Sequence, residues 1–180
     1  KLTEIPDKVF KLKKLQELYL RDNQISDLPE ELLALANLQK LALGENLLDS
    51  VPPFIGKFQH LEELDLFSNK LSTLPVEIGE LRKLKKLDLN WNDLQELPAT
   101  ICEMTEMQLL FLERNQLRSL PDSIGNLVKI KEIHLYDNQL TALPGSFGTV
   151  QEITELNLSK NNLEYLPESM GTLLNLKNLN

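Results

Sequence analysis

Leu64-Asp65-Leu66-Phe67-Ser68-Asn69-Lys70-Leu71-Ser72-Thr73-Leu74-Pro75-Val76-Glu77-Ile78-Gly79-Glu80-Leu81 returns 23 residues later as Leu87-Asp88-Leu89-Asn90-Trp91-Asn92-Asp93-Leu94-Gln95-Glu96-Leu97-Pro98-Ala99-Thr100-Ile101-Cys102-Glu103-Met104. The same beat runs outward in both directions. Asparagine recurs at Asn23, Asn46, Asn69, Asn92, Asn115, Asn138 and Asn161. Proline keeps the same interval at Pro6, Pro29, Pro52, Pro75, Pro98, Pro121, Pro144 and Pro167, and only Pro53 falls off it. The unit reads LxxLxLxxNxLxxLPxxIxxLxx without insertion or deletion. A fixed period of this length is the signature of a repeat architecture.

Each part of the unit has a physical reading. The alternation in Leu64-Asp65-Leu66 has period two, which predicts a short strand with one buried face. Asparagine stands where the chain turns inward, and its amide can both donate to and accept from turn backbone that would otherwise be unpaired. Proline suits the first position of a helical turn, and Asp122 and Ser123 behind Pro121 place groups there that complement exposed amides. One unit of 23 residues cannot bury enough apolar surface to offset the entropy of ordering it. Neighbouring units must therefore stack, with strands about 4.8 Å apart on a concave side and helical turns fanning out on a convex side. The expected fold is an α/β right-handed solenoid, a horseshoe with eight parallel strands centred near Leu18, Leu41, Leu64, Leu87, Leu110, Ile133, Leu156 and Leu179.

These motifs make the chain resemble leucine-rich-repeat proteins. The 23-residue length, with Leu-Pro followed by an Ile-Gly-x-Leu turn, most resembles the intracellular Ras-group repeats of Ras-suppressor and Ras-scaffold proteins and of scribble-like polarity scaffolds. Secreted leptospiral repeat proteins look similar. The resemblance implies a cytoplasmic protein-binding scaffold in signal transduction, with a small GTPase, phosphatase or kinase among the implied partners. Residues 1–180 are expected to form one solenoid of about seven full repeats plus partial repeats at both ends, a segment of a longer array, because neither end carries a polar cap.

Composition narrows the function classes. The formal net charge is −8 and the sequence pI about 4.9, which disfavours nucleic acid and anionic membrane as partners. No apolar run reaches the length needed to span a bilayer, so membrane insertion is not expected. A single cysteine, Cys102, excludes an internal disulfide framework and a paired-cysteine metal knuckle. The two histidines, His60 and His134, stand outside any metalloprotease spacing, and no nucleophile elbow or phosphate loop appears. No catalytic residue, metal ligand or cofactor is expected. Cys102 occupies the small-residue slot that Gly79 and Gly125 fill elsewhere, and Met104 and Met107 replace core leucines.

The informative positions are those the repeat leaves free: the outward strand residues and the residue before each asparagine. Over seven units these 28 positions carry ten acids and five bases, and five of the chain's ten aromatics. Phe67, Trp91, Phe111 and Tyr136, with Leu109 and His134, fall in consecutive units, and their crowding marks the centre of a partner site. Asp65, Asp88, Glu113 and Asp137 are expected to form an acidic rim favouring basic partners. Two further readings stay open: a substrate-recognition domain of a larger GTPase, kinase or ubiquitin ligase, and a secreted microbial binding protein.

Overall fold

The Leu-x-Leu segment before each asparagine, Ile-x-Leu in the sixth repeat, forms a strand two or three residues long. In chain order these are β1 (Glu17–Tyr19), β2 (Lys40–Ala42), β3 (Glu63–Asp65), β4 (Lys86–Asp88), β5 (Leu109–Phe111), β6 (Glu132–His134), β7 (Glu155–Asn157) and β8 (Asn178–Leu179). The computed structural model describes residues 1–180, and in it the eight strands make one parallel sheet in sequence order. Register is offset by one repeat throughout: Leu18 pairs with Leu41, Leu64 with Leu87, and Ile133 with Leu156. The middle residue of β1 through β7 points inward and is buried. A one-residue slip would turn these side chains outward, so burial fixes the register.

Behind the sheet, 48 buried residues form one continuous core, which includes Met104 and Met107. The convex elements are all 3-10 helices, such as Val76–Glu80, Ala99–Glu103 and Gly145–Thr149. Two local expectations change. The repeat proline does not occupy the first helical position, which only the off-beat Pro53 takes: Pro75 and Pro98 are extended N-cap residues at ψ 148° and 139°, and their carbonyls accept the first turn's bond, from Ile78 N–H and Ile101 N–H. Proline's fixed φ thus sets the entry to the turn rather than its first step. No side chain caps these helices either. Hydroxyls there reach sideways, Thr100 Oγ1 donating to the Val76 carbonyl at 2.6 Å and Ser146 Oγ to that of Asp122 at 2.5 Å. These hydroxyls thus tie each turn to the turn before it instead of capping their own.

Glycine decides how closely consecutive convex turns approach. A methyl group on Gly79 would collide with the Thr100 carbonyl, and one on Gly125 with that of Ser146. Cys102 fills the same slot, buried, with its thiol near Ser123. The next turn is shortened to Ile124–Asn126 and preceded by the bent Pro121–Ser123 segment. Burial pushes the Cys102 thiol's pKa up, which makes it a packing group rather than a nucleophile.

The asparagines form the expected ladder. Asn92 Nδ2 donates to the carbonyl of Leu89 in its own repeat (3.1 Å) and to that of Leu66 in the repeat before (3.0 Å), while its Oδ1 accepts from Leu71 N–H at 3.0 Å. Asn46, Asn115 and Asn138 repeat the pattern in buried positions. Asn23, Asn69 and Asn161 make the same own-turn bond while half-buried. The residue before each asparagine is left-handed, with φ between 51° and 59°: Asp22, Glu45, Ser68, Trp91, Arg114, Asp137 and Lys160.

Two measurements test this frame. Asn92→Ala should cost about 1–3 kcal/mol in chemical denaturation, because it orphans buried backbone groups, whereas Asp93→Ala beside it, which loses one exposed bond to Gln116, should cost far less. Gly79→Ala should lower stability by about 1–3 kcal/mol through overpacking, while Gly145→Ala, with open space around it, should be neutral or slightly stabilising.

Candidate partner-binding face

The parallel register gathers residues 23 apart into straight rows across the sheet. One row carries Lys86, Leu109 and Glu132; the next carries Asp65, Asp88, Phe111 and His134. The predicted aromatics do come together on this face, but none of the four stands alone. The Arg114 guanidinium lies 3.9 Å over the Trp91 ring, Lys86 5.6 Å over Phe111, Arg21 5.5 Å over Phe67, and Lys160 4.9 Å over Tyr136. Phe111 meets His134 edge to face at 5.0 Å. Leu109 lies beside them, half-buried at the start of β5. Cation–π contacts of this kind contribute roughly 0.5–1 kcal/mol each when exposed, and they orient the rings before any partner arrives. Trp91 is 48% exposed, projected by its left-handed backbone.

The four carboxylates expected as a rim differ in setting. Asp65 and Asp88 end β3 and β4 inside the face, where their Oδ1 atoms accept the backbone N–H of Phe67 (3.0 Å) and Asn90 (3.1 Å). Asp65 is also paired with Arg21 at 3.1 Å. Desolvation raises the Asp88 carboxyl above the usual carboxylate range, against the lowering by its bond to Asn90 N–H. Glu113 lies 3.4 Å from His134 Nδ1, and Asp137 lies 3.9 Å from Arg114. These carboxylates hold neighbouring groups in place. Asp137 stays open to solvent, as do Glu17 and Glu63, which share Lys40 at 3.5 and 3.2 Å.

Sequence reasoning missed the cations that cover the rings, and it missed a recess at the other end of the face. The small Ala42 on an outward position of the second repeat lines a hollow of roughly 200 Å³ bordered by Tyr19, Arg21, Lys40, Glu63, Asp65 and Asp88, and Gly44 lies beside it. Arg21 crosses Gly44 to reach Asp65, and a methyl group there would press on both. The signal was present as two adjacent small residues on outward positions.

Leucine-rich-repeat models match residues 1–48, 55–139 and 152–173, the last two described as a leucine-rich repeat region and a leucine rich repeat. The chain is thus built of leucine-rich repeats along its length. No curated protein matches it significantly. Among solved structures, a leucine-rich-repeat protein of Leptospira interrogans is 30% identical with TM-score 0.74 over 98% of this chain and 58% of that one. The plant peptide hormone receptor RGFR1, in complex with RGF2, is 29% identical with TM-score 0.82 over 98% of this chain and 30% of the receptor. The ectodomain of the Arabidopsis thaliana receptor kinase GASSHO1/SCHENGEN3, in complex with CASPARIAN STRIP INTEGRITY FACTOR 2, is 32% identical with TM-score 0.69 over 98% of this chain and 25% of the ectodomain. The chain therefore spans less than two thirds of the length of each.

Asp88 offers a direct check on the face's electrostatics. Its folded-state pKa is raised, so the ionised carboxylate costs stability at neutral pH, and that cost vanishes below the unfolded carboxylate's pKa near 4. Asp88→Asn keeps an acceptor for Asn90 N–H, as Asn157 does for Ser159 N–H at 3.2 Å. The variant should be more stable than the parent at pH 7, and the gain should disappear in melts run near pH 3.

Proposed function

We propose that this chain is a non-catalytic protein-binding module whose partner lies on the concave sheet, centred on Trp91, Phe111 and Tyr136. The observation that carries the reading is the gathering of aromatics from consecutive repeats on one face, which the core does not need. These side chains stand on the open side of the sheet, oriented by Arg114, Lys86 and Lys160. Rigid aromatic anchors next to fixed charges are the material of binding hot spots. The partner surface that fits is one with apolar groups to cover the rings and basic groups to meet the remaining carboxylates.

Support also comes from the solved relatives named in complex with RGF2 and CASPARIAN STRIP INTEGRITY FACTOR 2, whose repeats superpose on these. The resemblance of the repeat to the Ras-group type makes a cytoplasmic scaffold the reading we favour, with a small GTPase, phosphatase or kinase as partner. A second reading is the recognition segment of a larger protein, which the 58%, 30% and 25% coverage of those longer chains favours.

The test is capture of partners on the immobilised chain, identification by mass spectrometry, and titration of the recovered partner against variants. Trp91→Ala and Phe111→Ala should each weaken binding by roughly 2 kcal/mol or more, about thirtyfold, with near-parental melts. Retained binding in both, together with its loss in the convex variant Lys83→Glu, would place the site on the opposite face.

A further inference from the structure

The geometry points to a divalent transition-metal site, of the zinc class, formed by Glu132, His134 and Glu155 on β6 and β7. Three observations converge. First, His134 Nε2 is shielded from solvent and has no hydrogen-bond partner. Second, it faces two carboxylates, Glu155 Oε1 at 3.6 Å and Glu132 Oε2 at 3.8 Å, and all three donor atoms lie within 4.8 Å of one another. Third, Glu132 and Glu155 are direct neighbours across the parallel ladder, and neither forms an ion pair with lysine or arginine.

The last point stands out against the rest of the same row. Between β1 and β3 the row alternates, and Lys40 separates Glu17 from Glu63. Like charges directly opposite one another destabilise a sheet. At β6 and β7 no lysine separates the pair, so a cation placed among Glu132, Glu155 and the free Nε2 would neutralise it.

The ligand set selects the ion. One imidazole with two carboxylates suits zinc and its first-row neighbours, whereas magnesium and calcium prefer all-oxygen shells with more ligands. Tetrahedral zinc, with bonds of about 2.0–2.2 Å, needs donors roughly 3.3 Å apart, so each carboxylate must move a few tenths of an ångström toward the imidazole from 3.6 and 3.8 Å, and the two half-exposed glutamates must swing toward each other from within 4.8 Å. Glu113 stands 3.4 Å from the other ring nitrogen, placed to form the carboxylate–histidine pair that orients the ring in metal sites. Phe111 packs against the ring. Three protein ligands leave a coordination position open toward the concave side, where water or a donor from a bound partner would complete the shell.

Zinc chloride titrated into the intact chain at pH 7.5, followed by calorimetry and by imidazole nitrogen shifts in NMR, tests this. One equivalent should bind, raise the melting temperature, and move the His134 Nε2 resonance while leaving His60 in place; excess magnesium should not compete. His134→Asn should abolish binding, Glu155→Gln should weaken it at least tenfold, and Glu113→Gln should weaken it about 10–100-fold. Cys102→Ala and His60→Asn should leave it unchanged. Absence of binding at millimolar zinc, binding that survives His134→Asn, or binding lost with Cys102 or His60 would overturn the assignment. Melts of each variant without zinc separate loss of the site from loss of the fold.

Discussion

The chain must reverse direction at the end of every short strand, and it does so through a residue held in the left-handed region. Seven residues of quite different chemistry adopt that conformation, and none of them is glycine. Left-handed backbone costs a non-glycine residue roughly 1–2 kcal/mol, so something must hold it there repeat after repeat. The following asparagine does. Its amide donates to the carbonyl that the turn exposes and to the same carbonyl one repeat back, and its oxygen takes an N–H of the preceding repeat. At Asn46, Asn92, Asn115 and Asn138 the amide thereby pairs buried groups and links neighbouring turns in the same act.

With that edge fixed, the rest follows as packing. The strands are too short to be stable singly, but register locked at one end brings the leucines of adjacent repeats into a single core. On the convex side, spacing is set by what occupies the glycine slot. Gly56, Gly79, Gly125 and Gly148 let backbone approach backbone, whereas Cys102 is followed by a shortened turn. The prolines open these turns by presenting a carbonyl at a fixed angle, and hydroxyls bridge to the turn before. Both devices serve neighbouring units rather than the unit that contains them, as expected of an architecture whose stability resides between repeats.

The concave face is where the repeat stops dictating residue type. Its outward positions differ from unit to unit, and the differences are organised into separate regions. Ala42 lines a polar recess over β1 to β4. Trp91, Phe111 and Tyr136 carry covering cations in the middle. Glu132, His134 and Glu155 crowd together over β6 and β7. A flat, regular sheet thus presents three chemically distinct neighbourhoods, each built from residues about one repeat apart.

Strand positions, register, the inward leucines, the asparagine ladder and the convex turns were all legible in the sequence, because each depends on a residue type recurring at a constant interval and periodicity survives without coordinates. The aromatic crowding was legible for the same reason, since outward positions can be counted. What only the tertiary structure decided concerns side chains reaching between repeats. The sequence places Arg114 beside Asn115 and says nothing of the Trp91 ring it covers. Asp65 and Asp88 read as free rim charges, yet the strand ends turn them onto their own backbone and leave Asp88 partly desolvated. The prolines read as first helical residues, but the carbonyl geometry places them one step earlier. His134 shows no ligand spacing with Glu155 along the chain, and only the parallel register makes them neighbours. Interval fixes where a side chain starts; where it ends depends on lateral contacts a few ångströms long, which a one-dimensional pattern does not encode.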